Sequence, residues 1–123
     1  MTAALLTDDW FDALARDVAG APDCGVEITV LRAPGGDVAW HLTVAEGRVV
    51  AAAGPLPGAT VAVTLPYDDM VAVVRGELAP SVAFMQGRMK TAGDPGVLLD
   101  LLEATARPAY GAARDELLAN TKF

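Results

Sequence analysis

An α+β fold class follows from three observations on this chain. Apolar residues recur with period two through four segments between positions 24 and 65, the mark of half-buried strands. Other segments carry apolar residues at helical spacing and open on a capping residue or a proline. The order is helix, four strands, two short helices, strand, helix, helix, so the strands are not alternated one by one with helices. The chain has 123 residues and no internal repeat or linker, and one domain spanning 1–123 is expected.

Thr7 with Asp8 and Asp9 opens the first helix, since a hydroxyl oxygen and negative charge both suit free N–H groups at a helix start. Trp10, Phe11, Leu14 and Val18 form its apolar stripe to about residue 19, and Gly20-Ala21-Pro22 ends it. Val26, Ile28 and Val30 then alternate with Glu27 and Thr29, and after Pro34-Gly35-Gly36 the residues Val38, Trp40, Leu42 and Val44 alternate with Ala39, His41 and Thr43. A three-residue loop at 34–36 sets Val30 opposite Trp40 and Ile28 opposite Leu42, all apolar. A two-residue loop at Glu46-Gly47 sets Val44 against Val49 and Leu42 against Ala51.

Past the stiff loop 54–58, Val61, Val63 and Leu65 mark a fourth strand. A short helix is expected over 67–75 with Met70, Val73 and Val74 on one face, and another over 80–86 started by Pro80. A fifth strand is expected over 88–92. Asp94 as N-cap and Pro95 at the first position begin a helix with Val97, Leu98, Leu99, Leu101 and Leu102; Arg107-Pro108 ends it, and a last helix covers about 110–119.

Hydrophobic residues make up 53% of the chain, yet no apolar run approaches the roughly 18 residues that span a bilayer. The excess must face a core, a pocket or a partner, and no stable membrane insertion is expected. A formal charge of −7, with scattered arginines, repels phosphate backbones and argues against nucleic acid. The N-terminal residues lack the charged and apolar regions of a secretory signal, and Cys24 is the only cysteine, so the cytoplasm is the expected compartment.

Chemistry-bearing residues are few. One Ser (Ser81), one Cys (Cys24) and one His (His41) do not supply the ligand set of a zinc site, and no glycine-rich phosphate loop is present. Ser81 suits a helix start, Cys24 has no basic neighbour to activate its thiol, and His41 falls on the polar face of its strand. The acidic pairs Asp8-Asp9 and Asp68-Asp69 compensate helix dipoles, and Asp115-Glu116 suits a solvated helix face. No cofactor, metal or catalytic group is expected.

The stretch from Pro80 through Phe84, Gln86-Gly87, Arg88-Met89-Lys90 and Gly93-Asp94 resembles the signature of the sterol carrier protein type 2 domain family. The likeness extends upstream through 59–76 and to the Gly35-Gly36 turn with Trp40, covering roughly residues 23–105. The resemblance implies a five-stranded, mainly antiparallel sheet of order 3-2-1-4-5 with helices on one face enclosing a hydrophobic tunnel. It also implies non-catalytic binding and transfer of a sterol, fatty acid, acyl-CoA or similar lipid.

By position, it puts Trp40, Met70, Val73, Val74, Phe84, Met85, Gln86, Leu98, Leu101 and Leu102 on the tunnel as ligand-binding residues. Gln86 is either a hydrogen-bonding group for a ligand or a cap on the strand edge. Thr91 stands where the family prefers an apolar residue, and Thr121-Lys122-Phe123 is not a peroxisomal Ser-Lys-Leu address, so a free-standing bacterial-type member is implied. Two other functions stay open: an interaction subunit of a lipid-metabolising enzyme with a self-filled tunnel, and a small pocket enzyme, a cyclase or isomerase. Ligand identity and pairing as a homodimer or with a partner enzyme are not fixed by the sequence.

Overall fold

The computed structural model describes residues 3–17 and 22–123. Among them the chain runs β1 (Ala3–Ala4), α1 (Asp8–Leu14), β2 (Arg16–Asp17), β3 (Cys24–Ala33), β4 (Gly36–Ala45), β5 (Arg48–Ala53) and β6 (Val61–Pro66). It continues through α2 (Tyr67–Val74), α3 (Pro80–Met85), β7 (Lys90–Gly93), α4 (Pro95–Thr105), α5 (Pro108–Ala119) and β8 (Thr121–Lys122). The larger sheet has the order β2-β5-β4-β3-β6-β7, and β1 pairs in parallel with β8. Only β3 and β6 are parallel neighbours in the larger sheet. The fold is α+β, and β3 to β7 reproduce the expected order 3-2-1-4-5. The larger sheet has six strands rather than five.

The added strand comes from a correction to the first helix. Instead of running to about residue 19, α1 stops at Leu14, because Arg16 turns back onto its end. Arg16 donates to the carbonyls of Ala13 (2.6 Å) and Leu14 (3.2 Å) and also to Ala113 of α5 (2.8 Å). Carbonyls at a helix end have no partner within the helix, and a guanidinium satisfies two of them at once. The chain is then extended, and Arg16 and Asp17 pair with Val49 and Arg48 at the β5 edge. Val18, Ala19 and the expected turn residues Gly20 and Ala21 lie outside the described residues.

The first hairpin is also displaced from expectation. Ile28 faces Trp40, Val26 faces Leu42 and Val30 faces Val38, a shift of two residues. Its cause is a bulge: two β3 residues, Leu31 and Arg32, stand against Asp37 alone. Arg32 enters the left-handed region at φ 58°, its N–H bonded to Asp37 Oδ1 at 3.0 Å, and the turn shortens to Pro34-Gly35. A shift of two leaves every side chain on its original face. The second hairpin has the expected pairs, Val44 with Val49 and Leu42 with Ala51, and Glu46 and Gly47 both take positive φ as a two-residue turn requires.

β7 starts at Lys90 rather than at position 88, because the N–H groups of Arg88 and Met89 go to the Ala83 carbonyl at the end of α3. It closes on Gly93, where φ is +112° and a Cβ would sit 2.3 Å from the Thr60 carbonyl oxygen, so only glycine fits. Asp94 then caps α4, its Oδ1 accepting from Gly96 N (2.8 Å) and Val97 N (3.1 Å).

The core lies between the sheet and the helices. Trp10 and Phe11 of α1 are almost wholly buried, with ring centroids 5.6 Å apart, and meet Trp40 of β4 at 5.5 and 5.4 Å. Trp10 Nε1 donates to Thr121 Oγ1 at 3.1 Å, which ties β8 to α1. On the other face of the sheet, Glu27 and His41 are paired across β3 and β4 and hold the loop over 54–60. Glu27 Oε2 accepts from Leu56 N (3.1 Å), and His41 Nδ1 lies 2.9 Å from the Gly54 carbonyl oxygen. His41 is thus half-buried under a loop rather than free in solvent.

Candidate functional site, an apolar cavity between sheet and helices

Alternation along the strands sends Val26, Ile28, Trp40, Leu42, Val63 and Leu65 to the same face of the sheet. Four helices stand over that face and each presents residues at helical spacing: Trp10 and Leu14 from α1, Met70, Val73 and Val74 from α2, Leu98, Leu101 and Leu102 from α4, and Tyr110, Ala113, Arg114 and Leu117 from α5. The two layers do not close on each other. They enclose a cavity of about 320 Å³ lined almost entirely by aliphatic and aromatic side chains. The state of α4 shows the same thing from the outside: this leucine-rich helix has no fully buried residue, because open space lies under its apolar face.

Of the ten residues assigned to the tunnel by position, seven line this cavity: Trp40, Met70, Val73, Val74, Leu98, Leu101 and Leu102. Phe84, Met85 and Gln86 are not among its lining residues. They belong to the six-residue α3 and its C-cap, where Ala83 is the buried position; Met85 is 82% exposed and Gln86 is exposed. A helix of a turn and a half presents one narrow face inward, and here the smallest side chain occupies it.

Position-by-position likeness did not point to the polar part of the wall, which is Arg16, Thr105, Tyr110 and Arg114. A signal existed in the sequence: Tyr110, Arg114 and Leu117 recur at four and three, so an arginine stands in the apolar stripe of the last helix. Thr105 donates its hydroxyl to the Leu102 carbonyl (2.7 Å), and the guanidinium of Arg16 is committed to backbone carbonyls and, at 3.7 Å, to Glu116. Arg114 donates to Asp115 Oδ1 at 3.0 Å, while its Nε is buried without a hydrogen-bond partner. Burial pushes the Tyr110 hydroxyl above its ordinary pKa, an effect that the nearby Arg114 charge opposes.

Elsewhere the nucleophile inventory stays dispersed. Burial, reinforced by the Asp23 charge, raises the Cys24 thiol, which keeps it protonated and unreactive near neutrality. His41 sits on the sheet face away from the cavity. Among the described residues no three His, Cys, Asp or Glu side chains gather as metal ligands, and no helix is long and apolar enough to cross a membrane.

The chain is similar to known proteins over most of its length. The model of the SCP-2 sterol transfer family matches residues 6–105. Sterol carrier protein 2 of Gallus gallus is 29% identical over 76 residues, which is 61% of this chain and 14% of that protein, so the chain corresponds to a small part of that relative. The solution structure of sterol carrier protein domain 2 of Helicoverpa armigera superposes with a TM-score of 0.61 at 25% identity, over 74% of this chain and 72% of that one. A crystal structure of sterol carrier protein 2 superposes with a TM-score of 0.68 at 20% identity, over 90% and 98%. A mainly antiparallel sheet with helices over one face and a family match across four-fifths of the sequence agree: the chain belongs to the SCP-2 sterol transfer family.

Proposed function

We propose that this chain, as one lipid-binding domain, takes a lipid-like hydrophobic small molecule into the cavity between sheet and helices and carries it without altering it chemically. The observation behind this reading is about 320 Å³ of open volume with apolar walls contributed by both layers of the fold. Apolar walls suffice for such a ligand, since each methylene taken from water contributes about 0.8 kcal/mol. At roughly 30 Å³ per heavy atom, the share a water molecule takes in the liquid, the volume accommodates about ten such atoms, a medium-length single chain.

The open volume favours a carrier over an interaction subunit that fills its own tunnel. A cyclase or isomerase would need an acid or base on the wall; no carboxylate is among the lining residues, which leaves the Tyr110 hydroxyl, kept in its protonated form by burial, as an acid with no carboxylate base on the wall to work with it. The single, inert cysteine suits work in a reducing compartment such as the cytoplasm. The test is isothermal titration of delipidated protein with decanoate, longer fatty acids, acyl-CoA and sterols. Saturable one-to-one binding of at least one class is expected; heat-free titrations with all of them, confirmed by unchanged amide NMR spectra, would remove the carrier reading.

A further inference from the structure

The five helices are not held alike. Three of them bury side chains in the core: Trp10 and Phe11 from α1, Met70 and Val74 from α2, and Ala83 from α3. α4 has no buried residue, and the buried residue of α5 among those described is Leu117, in its last turn. Both helices nevertheless line the cavity along their length, through Leu98, Leu101, Leu102, Tyr110 and Ala113. Open volume lies where their inward side chains would otherwise meet the sheet, so they lack much of the burial and dispersion that fix the other three. They form a roof over the cavity rather than a packed layer.

This roof is fastened at its two ends. At the root, the Asp94 N–H donates to the Thr60 carbonyl (3.0 Å) and the Asp94 carboxylate caps α4. Between the helices, the N–H groups of Ala106 and Arg107 donate to the Glu103 and Ala104 carbonyls (3.0 and 3.2 Å), a tight turn that couples α4 to α5. At the far end the fastenings are largely polar. Arg16 donates to the Ala113 carbonyl (2.8 Å) and stands 3.7 Å from Glu116. Trp10 Nε1 donates to Thr121 Oγ1 (3.1 Å), and that hydroxyl donates to the Leu117 carbonyl (2.6 Å). The N–H groups of Ala3 and Leu5 reach the Asn120 and Lys122 carbonyls, and the Arg75 guanidinium lies 4.5 Å over the Phe123 ring. Local opening is easiest where little apolar surface is buried and few bonds must break, as here.

We propose that α4, α5 and β8 lift as one unit, pivoting at Asp94 and latched by the contacts of Arg16, Trp10 and Thr121, while α1, α2, α3 and the larger sheet stay folded. The motion uncovers the cavity. That it admits a cargo rests on the reading of the cavity as a lipid site; the motion itself does not. In the open form the sheet keeps its own core contacts, such as those of Val30, which is wholly buried and not on the cavity wall.

The experiment is native-state hydrogen exchange of the delipidated chain, read by NMR without any lipid. In the wild type, amides of α4 and α5 should share one opening and be protected at least tenfold less than those of β3 and β6. Thr121→Val removes the acceptor of Trp10 and should speed exchange of α4 and α5 about tenfold. Val30→Ala should speed exchange of β3 and β6 about tenfold or more and leave α4 and α5 unchanged, because the open form still contains that contact. A thiol on the cavity floor, Val63→Cys with Cys24→Ala, should react with iodoacetamide about tenfold faster once Thr121→Val is added, and no faster with Val30→Ala. Roof amides as protected as the sheet and equally sensitive to Val30→Ala, or α4 and α5 opening separately, overturn the proposal even if decanoate binds, and the lipid reading then stands. A roof that opens as described in a chain that binds neither decanoate, longer fatty acids, acyl-CoA nor sterols upholds the motion and removes the lipid reading.

Discussion

Filling the cavity from its wall is the most informative perturbation. Leu101 of α4 lines it, and Leu101→Trp adds about six heavy atoms, roughly 180 Å³ at about 30 Å³ each. That is more than half of the 320 Å³. A ligand tail loses room for about six methylenes at about 0.8 kcal/mol apiece, close to 5 kcal/mol, so decanoate affinity should fall more than a thousandfold. Stability should change little, because new contacts in empty space offset strain of about 1–3 kcal/mol from an imperfect fit. Calorimetric titration measures the affinity, and a thermal melt with an amide NMR spectrum verifies the fold. Val73→Trp, from α2, attacks the same space and guards against one indole swinging outward. Two well-folded variants that both bind decanoate like the wild type would show that the ligand sits elsewhere and refute the reasoning.

Other outcomes follow from local structure. Gly93→Ala should cost about 2 kcal/mol or more and loosen the β6–β7 edge, since the methyl meets the Thr60 carbonyl oxygen and the backbone is left-handed; a urea midpoint within error of the wild type would contradict this. Asp94→Ala removes the acceptor for two N–H groups at the start of α4 and should cost about 1 kcal/mol, with Asp94→Asn recovering most of it. Cys24 and Tyr110 both have raised folded pKa values, so the fold favours their protonated forms. Their stabilising contributions are complete below about pH 8.5 and about pH 10, respectively, and are lost as pH rises through the raised values. Urea midpoints should therefore decline on the alkaline side more steeply for the wild type than for the Cys24→Ala, Tyr110→Phe double variant; parallel curves would contradict the assignment.

Period-two patterning assigned the faces of β3, β4, β5 and β6 correctly, including the Val26, Ile28, Trp40 and Leu42 face that floors the cavity, but gave no sign of the two-residue strands β1, β2 and β8. It was blind to the two-residue displacement of the first hairpin, because any even shift preserves that pattern; the bulge at Leu31 and Arg32 is decided by backbone conformation and by the Asp37 side chain. The end of α1 was hidden for a different reason. Local propensity continues the helix, but Arg16 finds carbonyls on both α1 and α5, a tertiary contact across nearly a hundred residues.

The cavity wall was legible where helices are long enough for their spacing to fix a face, as for Val73 and Leu101, and not in the short α3. Likeness to a family also draws attention to its matched stretch. Arg114 and Tyr110 lie past residue 105, and only their position in an apolar stripe marks them.

Isotope-filtered NMR on methyl-labelled protein with bound decanoate tests the central claim most directly. Intermolecular NOEs from the alkyl chain to the methyls of Val63, Val73 and Leu101, from sheet and helices together, are the predicted result. NOEs confined to the exposed Val82, Met85 and Leu99 methyls would contradict it.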